Sequence, residues 1–149
     1  MSRRFADLRR AVFARHSNPW SAWTRWLSTP LVLVPLWTRR WSHAAIIGAW
    51  MAVNPVVFPK PAHEHAWSTR AMLGEELWIT ERPRDTAMAV NAAATLAGIT
   101  ALVAARRRRA APAAGATAVQ MALLLVYWRL MATYYDRHQR GSTPNRRDR

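Results

Sequence analysis

The sequence contains no cysteine, which excludes disulfide bonds, thiolate metal sites and thiol nucleophiles. Acidic residues are scarce: 8 Asp and Glu stand against 22 Lys and Arg, and the formal net charge is +14. A glycine-rich phosphate loop, a nucleophile elbow and a carboxylate pair in an apolar setting are also missing. The sequence therefore does not indicate an enzyme, and no cofactor is expected. The excess of positive charge indicates a polyanionic partner, either nucleic acid or anionic lipid.

Charged residues are absent from four stretches of the chain. These stretches are residues 26–38, 41–59, 86–105 and 110–128. The last three have 19, 20 and 19 residues, and about 20 helical residues span the hydrocarbon core of a bilayer. The first has 13 residues and contains Pro30 and Pro35, so it is expected to be a kinked span or an interfacial segment. We predict an all-α integral membrane helical bundle with about four hydrophobic helices in two hairpins.

The chain is predicted to form one membrane domain, residues 1–136, followed by a basic disordered tail, residues 137–149. A soluble helical bundle is the alternative, but it would need a polar face on every helix, and the three long stretches carry no charge on any face. Because a 26-residue connection separates the hairpins, the second hairpin is expected to stay folded when the first is loosened. The arginines flank apolar blocks and accompany no nucleic-acid-binding motif, so anionic lipid is the expected partner.

Two further helices are predicted at the membrane surface. Residues 2–15 form a basic amphipathic pattern, with Phe5, Leu8 and Val12 on one side. Residues 63–85 contain four small or aromatic residues at helical spacing: Trp67, Ala71, Gly74 and Trp78. An aromatic collar at the membrane boundary is expected from residues at the end of the last span: Tyr127, Trp128, Tyr134 and Tyr135.

Asn18-Pro19 predicts a helix start, with Asn18 as N-cap and Pro19 as the first helical residue. Trp20, Trp23 and Trp26 follow at intervals of three. Successive indoles at this spacing drift by only about 60°, so the three are expected on one broad helix face at headgroup depth.

Polar residues within the predicted spans are few. Asn54-Pro55 is expected to end the second span. Asn91 and Gln120 lie in the middle of the last two spans, where they are expected to bond each other or to line a polar path. Small residues four apart suit close helix packing in lipid, and they occur in three pairs: Ala45 with Ala49, Gly48 with Ala52, and Ala94 with Gly98.

The segment His63-Glu64-His65 is the one cluster that resembles a set of metal ligands. A zinc-binding helix needs two histidines four residues apart, whereas these are two apart and follow two prolines. An extended strand could present His63 and His65 to one metal, but only Glu75 or Glu76 could complete the set. A solvated polar loop is therefore the favoured interpretation, with metal binding as the alternative.

Three strings of sequence resemble a known family. They are RHSNPWSAWTR at residues 15–25, NPVVFP at residues 54–59 and WSTRAMLGE at residues 67–75. They are similar to a family of small prokaryotic membrane proteins known as a domain of unknown function, over roughly residues 10–135. The resemblance implies a multi-span helical membrane protein, and it implies no activity, ligand or catalytic residue.

The same three strings supply the candidate functional site. They would meet at one membrane interface if the second span returns to the side where the first span begins. The candidate residues are His16, Asn18, Trp20, Trp23, Arg25, Asn54, Trp67, Arg70 and Glu75. Membrane anchors and helix caps are the alternative roles for these residues.

We expect a multi-pass protein of the cell membrane, acting as a non-enzymatic structural or accessory subunit that binds lipid, a membrane protein or a second copy of itself. A small transporter or channel-like oligomer using Asn91 and Gln120 is the alternative. A membrane enzyme or metal-binding protein ranks third, and it would use His16, His63, His65 and Glu75.

With four spans, 16 basic residues lie on the side of the termini and 6 in the two turns, so both termini are expected in the cytoplasm. With three spans, residues 26–38 would lie at the interface.

Overall fold

The computed structural model describes residues 15–81 and 83–141. In these ranges it contains helices and connections and no strand, which confirms the all-α prediction. In chain order the helices are α1 (Pro19–Ser28), a 3₁₀ helix (Thr29–Leu33), α2 (Val34–Thr38), α3 (Trp41–Val57), α4 (Trp67–Glu81), α5 (Thr86–Arg106) and α6 (Ala110–Gly141). The amphipathic helix predicted at residues 2–15 lies outside the described residues except for Arg15.

The first hydrophobic stretch belongs to a longer helical path that runs from Pro19 to Thr38. Asn18 caps this path as predicted, because its side chain accepts the N–H of the second helical residue at 2.9 Å. Pro30 lacks the N–H that would continue the α-helical ladder, and the path changes there to a 3₁₀ helix before α2 completes it. The prediction of a helix at residues 26–38 is thus corrected. The helical path begins at Pro19, and it changes from α-helix to 3₁₀ helix and back before it ends at Thr38.

The second hydrophobic helix, predicted at residues 41–59, is α3. Pro55 lies inside this helix, which continues to Val57, so Asn54-Pro55 does not terminate it. The Asn54 side chain is fully buried, at 0% exposure. Proline lacks an N–H, so Pro55 removes one hydrogen bond from the ladder, and the helix ends two residues later.

The last two hydrophobic stretches form the antiparallel hairpin of α5 and α6. Asp85 caps α5 by accepting the N–H of Met88 at 3.1 Å. The two helices approach closely at Gly98, where an added Cβ would lie 2.6 Å from Nε2 of Gln120. The predicted small pair of Ala94 and Gly98 therefore lies in a helix contact. The other two pairs lie on exposed parts of α3.

The final helix, α6, is longer than predicted. It passes residue 128 and ends at Gly141, inside the segment predicted as a disordered tail from residue 137. Residues 142–149 lie outside the described part of the chain. The extra turns of α6 carry the residues against which α4 packs.

Helix α4 confirms the helix predicted from the spacing of Trp67 and Trp78. It packs against the second half of α6, and the closest approach is at Gly74, where an added Cβ would lie 2.0 Å from the carbonyl oxygen of Met131. The core of the molecule is centred here, on buried residues from α1, α4, α5 and α6: Ala22, Ala71, Met72, Ala87, Tyr127, Trp128, Met131 and Ala132. α4 therefore forms part of the protein core.

Two of the described helices, α5 and α6, are long and apolar enough to cross a membrane. Length and composition alone would also fit the core helix of a soluble protein, which is mostly buried. Here only 28% of the apolar window in α5 and 17% of that in α6 are buried. Many large apolar side chains are consequently exposed on these helices, among them Leu96, Ile99, Val103, Val119 and Val126.

Candidate functional site

Buried hydrogen bonds of Asn54 join the two helical segments of the first hairpin. The Nδ2 atom of Asn54 donates to Oγ1 of Thr24 at 2.9 Å, and its Oδ1 atom accepts from Oγ of Ser21 at 3.0 Å. Both ends of the buried amide are therefore satisfied, as a polar group in apolar surroundings requires. The strings at residues 15–25 and 54–59 meet at this point.

A further hydrogen bond joins the first two strings, and another brings the third string into the same region. Nδ2 of Asn18 donates to the carbonyl of Pro59 at 2.9 Å. Oγ1 of Thr69 donates to the carbonyl of Ser17 at 2.8 Å, and this bond is buried. The three strings thus come together at the end of α3 that lies away from the turn at residues 39–40.

A cavity of about 370 Å³ is lined in part by residues of the first and third strings. Its polar lining comes from His16, Arg25, Thr29, Asn91, Gln120, Glu75 and Tyr127. Its apolar walls come from Trp26, Val32, Met51, Met72, Leu124 and Trp128. The cavity therefore joins three predicted site residues to the two polar residues predicted within the last hairpin.

Arg25 and Glu75 are the oppositely charged residues of this cavity. The hydroxyl of Tyr127 donates to Oε1 of Glu75 at 3.2 Å. Nε of Arg25 donates to the carbonyl of Ser21 at 3.3 Å, and its Nη2 atom lies 3.7 Å from Sδ of Met72. Burial raises the pKa of the Glu75 carboxyl, and this effect is opposed by the Tyr127 hydrogen bond and by the charge of Arg25. The cavity can therefore offer several hydrogen-bond donors in apolar surroundings.

His16 lies in the same cavity and is neutral at physiological pH. Burial lowers the pKa of its imidazole from 6.5 to about 4, and the positive charge of Arg25 contributes to the decrease. A neutral imidazole has one donor and one acceptor nitrogen. His16 can therefore hydrogen bond to a polar group without adding charge to the cavity.

The three tryptophans of α1 do not share one surface. Trp20 is 70% exposed, whereas Trp23 packs against Trp67 and Trp128, with ring centroids 6.1 and 5.6 Å apart. Nε1 of Trp26 donates to the carbonyl of Met121 in α6, at 3.1 Å. The drift of about 60° per step separates Trp20 from Trp26 by about 120°, which is enough to divide them between surface and interior. The expectation that the three indoles lie on one helix face at headgroup depth is therefore corrected.

Comparison with protein families gives one match. The model of a family of unknown function, DUF6653, covers residues 1–148. The chain belongs to DUF6653. This match confirms the resemblance to a domain-of-unknown-function family that the three strings indicate. No curated protein and no solved structure matches the chain.

In this DUF6653 protein, several residues of the site were not predicted as members of it. Arg70 forms an ion pair of 3.0 Å with Asp136, a residue of the extended part of α6. Tyr127 and Trp128, expected in a membrane-facing collar, are buried against α4 and α1. Asp136 is the one acidic residue of α6, and the residues that follow it are basic. A single acidic residue in such a segment is the sequence signal that could have indicated an ion pair with another helix.

The two histidines predicted as weak metal candidates lie in the connection between α3 and α4. The rings of His63 and His65 stack with centroids 6.0 Å apart. Glu64, between them, accepts a hydrogen bond from the hydroxyl of Tyr135 at 2.6 Å. Within residues 15–81 and 83–141, no group of three or more His, Asp or Glu side chains is arranged to hold a metal ion.

Proposed function

We propose that this DUF6653 protein is an integral protein of the cell membrane whose hydrophobic helices cross the bilayer. The observation that carries this proposal is the exposed apolar surface of α3, α5 and α6. Ile46 is 68% exposed, Leu96 is 64% exposed and Val119 is 54% exposed. Exposed apolar area costs about 25 cal/mol per Å² in water and nothing comparable in hydrocarbon.

The distribution of charge supports a four-span arrangement. α3 carries no Asp, Glu, Lys or Arg over its 17 residues, a length at the lower limit for a span. The turn at residues 39–40 and the turn at residues 106–109 consist of arginine, and both border apolar helices. We place residues 26–38 and α3 as the first pair of spans, α5 and the first part of α6 as the second, and both termini in the cytoplasm.

Within the membrane, we propose a non-enzymatic, accessory role in which the cavity binds the polar head of a lipid. Arg25 and the amides of Asn91 and Gln120 can donate hydrogen bonds to an acceptor-rich head. The apolar walls suit the adjoining part of the chain. Asn91 is exposed at the rim of the cavity, so a lipid could enter between the helices from the bilayer.

Cysteine labelling tests the membrane arrangement. The chain contains no cysteine, so a thiol reagent will label a single introduced cysteine without background from other positions. We expect Ala62→Cys and Gln139→Cys to react with an impermeant maleimide from the cytoplasmic side. Ser42→Cys and Ala110→Cys should react from the opposite side. Labelling of Ala62→Cys and Gln139→Cys from different sides would reject four spans, and release of the protein by alkaline extraction would reject the membrane placement.

Lipid retention tests the role of the cavity. The protein purified in mild detergent should keep bound lipid, detected by native mass spectrometry, and Arg25→Gln should keep one equivalent less. The control is Arg129→Gln, because Arg129 is exposed and does not line the cavity. Equal lipid retention by the two variants would contradict binding at this cavity.

A small transporter is the second candidate function. It is favoured by one observation: Asn91 and Gln120 line the same cavity as Arg25 and Glu75, so a polar path would pass beside titratable groups. Substrate flux into reconstituted liposomes that Asn91→Leu abolishes would support this function. Thr100→Leu, at an exposed position of α5 outside the cavity, is the matched control and should leave flux unchanged.

A further inference from the structure

The two arginine turns lie at the same end of the molecule. Arg39 and Arg40 connect α2 to α3, and the four arginines at residues 106–109 comprise the last residue of α5 and its connection to α6. One cavity of about 420 Å³ is lined by arginines from both turns and by four other residues: Pro35, Leu36, Trp41 and Ala44. The arginines in its lining are Arg39, Arg40 and Arg106. This cavity is separate from the one beside Glu75.

Among residues 15–81 and 83–141, the charge at this end is entirely positive. The two turns contribute six arginines, and none of the described acidic residues lies in or next to them. Those acidic residues lie in α4, in the connections on either side of α4, and near the end of α6: Glu64, Glu75, Glu76, Glu81, Asp85 and Asp136. Neither described ion pair involves an arginine of the turns, since the pairs are Arg70 with Asp136 and His138 with Glu81. Within the described part of the chain, the positive charge of the turns is therefore not compensated.

The backbone of the turns also points to a role beyond connection. Arg39 and Arg108 adopt left-handed conformations, with φ of 55° and 56°. Glycine or asparagine is the usual residue at such helix ends, because a larger side chain is strained there. Arginine occupies both positions here, and Arg39 is one of the three arginines that line the cavity.

We propose that this cavity binds the phosphate of an anionic phospholipid of the bilayer. The guanidinium groups of Arg39, Arg40 and Arg106 can donate bidentate hydrogen bonds to phosphate oxygens. Pro35 and Leu36 provide an apolar wall for the glycerol region. The inference goes beyond the proposed lipid cavity near Arg25, and it rests on the proposed membrane placement.

The surroundings of the cavity favour a membrane lipid over a soluble anion. Trp41 forms part of the lining and is 89% exposed, and indole rings prefer the headgroup boundary of a bilayer. One turn further along α3 the exposed surface becomes apolar, beginning at Ile46. A phosphate group next to an apolar surface is the arrangement that a phospholipid presents.

The test is binding of phosphatidylglycerol and phosphatidylcholine to the full-length protein in nanodiscs of mixed composition, measured by native mass spectrometry of the retained lipids. The test variant is the triple Arg39→Gln/Arg40→Gln/Arg106→Gln. The matched control is Arg129→Gln/Arg137→Gln/Arg140→Gln, which removes the same charge from exposed positions far along α6. Each basic residue near an anionic surface contributes roughly fivefold in affinity, so the test variant should lose roughly 100-fold in preference for phosphatidylglycerol.

The wild-type protein and the control should both prefer phosphatidylglycerol, and millimolar glycerol phosphate should fail to displace it. Equal loss in both triple variants would show general attraction to negative charge and would overturn the site. Displacement by glycerol phosphate would overturn the assignment to a bilayer lipid. A wild type that is integral by alkaline extraction but shows no lipid preference would overturn this inference alone, and a wild type released from the membrane would overturn the proposed function as well.

Discussion

At the scale of single residues, Gly74 is the glycine with the least room for a side chain. An added Cβ would lie 2.0 Å from the carbonyl oxygen of Met131, which is backbone and cannot rotate away. We expect Gly74→Ala to destabilise the protein by roughly 3 kcal/mol or more, because α4 must move off α6. Thermal unfolding in detergent measures the effect. Gly48→Ala is the control, since its Cβ would meet nothing within 4 Å, and it should be neutral or stabilising. Similar melting temperatures for the two variants would contradict the close helix crossing.

The ionisation of His16 gives a pH dependence with a definite sign. Because the folded-state pKa is about 4 and the ordinary value is 6.5, the unfolded chain binds the proton first as the pH falls. The stability contribution is complete above pH 6.5 and is lost progressively toward pH 4. Between pH 7 and pH 5 we expect a loss of about 2 kcal/mol that His16→Asn does not show. Arg25 and Glu75 line the same cavity and are present in both proteins. The difference in pH dependence between wild type and variant therefore reports the titration of His16. An identical pH dependence in both proteins would show that His16 does not titrate in this way.

At the scale of elements, the start of α1 combines a helix cap with a tertiary hydrogen bond. The Asn18 side chain accepts from the backbone of α1 and donates to the carbonyl of Pro59. We expect Asn18→Ala to cost about 2 kcal/mol, with ~1 kcal/mol from the cap and ~1 kcal/mol from the second bond. Asn18→Ser keeps a capping oxygen but is too short to reach Pro59, so it should cost about half as much. Equal losses in chemical denaturation of the two variants would mean that the cap contributes nothing.

The helices could be predicted from sequence because their signals are local. Charge-free length located α3 and α5 to within a few residues, and Asn18 and Asp85 show the caps that start α1 and α5. Helix breaks depend on context and were predicted less well. Pro30 changes the helix type, whereas Pro55 is absorbed within α3. A single sequence does not show which of these two outcomes a proline will have.

At the scale of the whole molecule, the two hairpins are coupled through α1. Trp23 packs on Trp128 of α6, and Trp26 donates to the backbone of the same helix. We therefore expect Trp23→Ala to lower the free energy of unfolding by about 3 kcal/mol and to loosen both hairpins. This result would differ from the independence of the hairpins that their separation along the chain suggests. Hydrogen exchange of amides in α5 and α6 measures the effect. Trp41→Ala, at an exposed position, is the control. Faster exchange confined to the first hairpin would restore the view that the hairpins are independent.

For the candidate site, too, local motifs were predicted from sequence and partners distant along the chain were not. Shared motifs predicted that Asn18, Asn54 and Glu75 belong to strings that meet, and the structure brings those strings together. The partners supplied by the end of α6 were not predicted. Tyr127 lies 52 residues beyond Glu75, and its aromatic character suits a membrane boundary and a protein core equally well. A pattern of residue types cannot separate those two environments.

The order in which hydrogen-bond partners occur along the chain has a consequence for synthesis on the ribosome. Asn54 follows its partners Ser21 and Thr24, so the first hairpin can pair its buried amide as soon as it has been synthesised. Glu75 is synthesised 52 residues before Tyr127, so until α6 is made it has no tyrosine hydroxyl to bind. We expect α4 to wait in water at the membrane surface while the second hairpin inserts, and to dock last. Truncation after α5 should leave the first hairpin inserted and α4 open to protease.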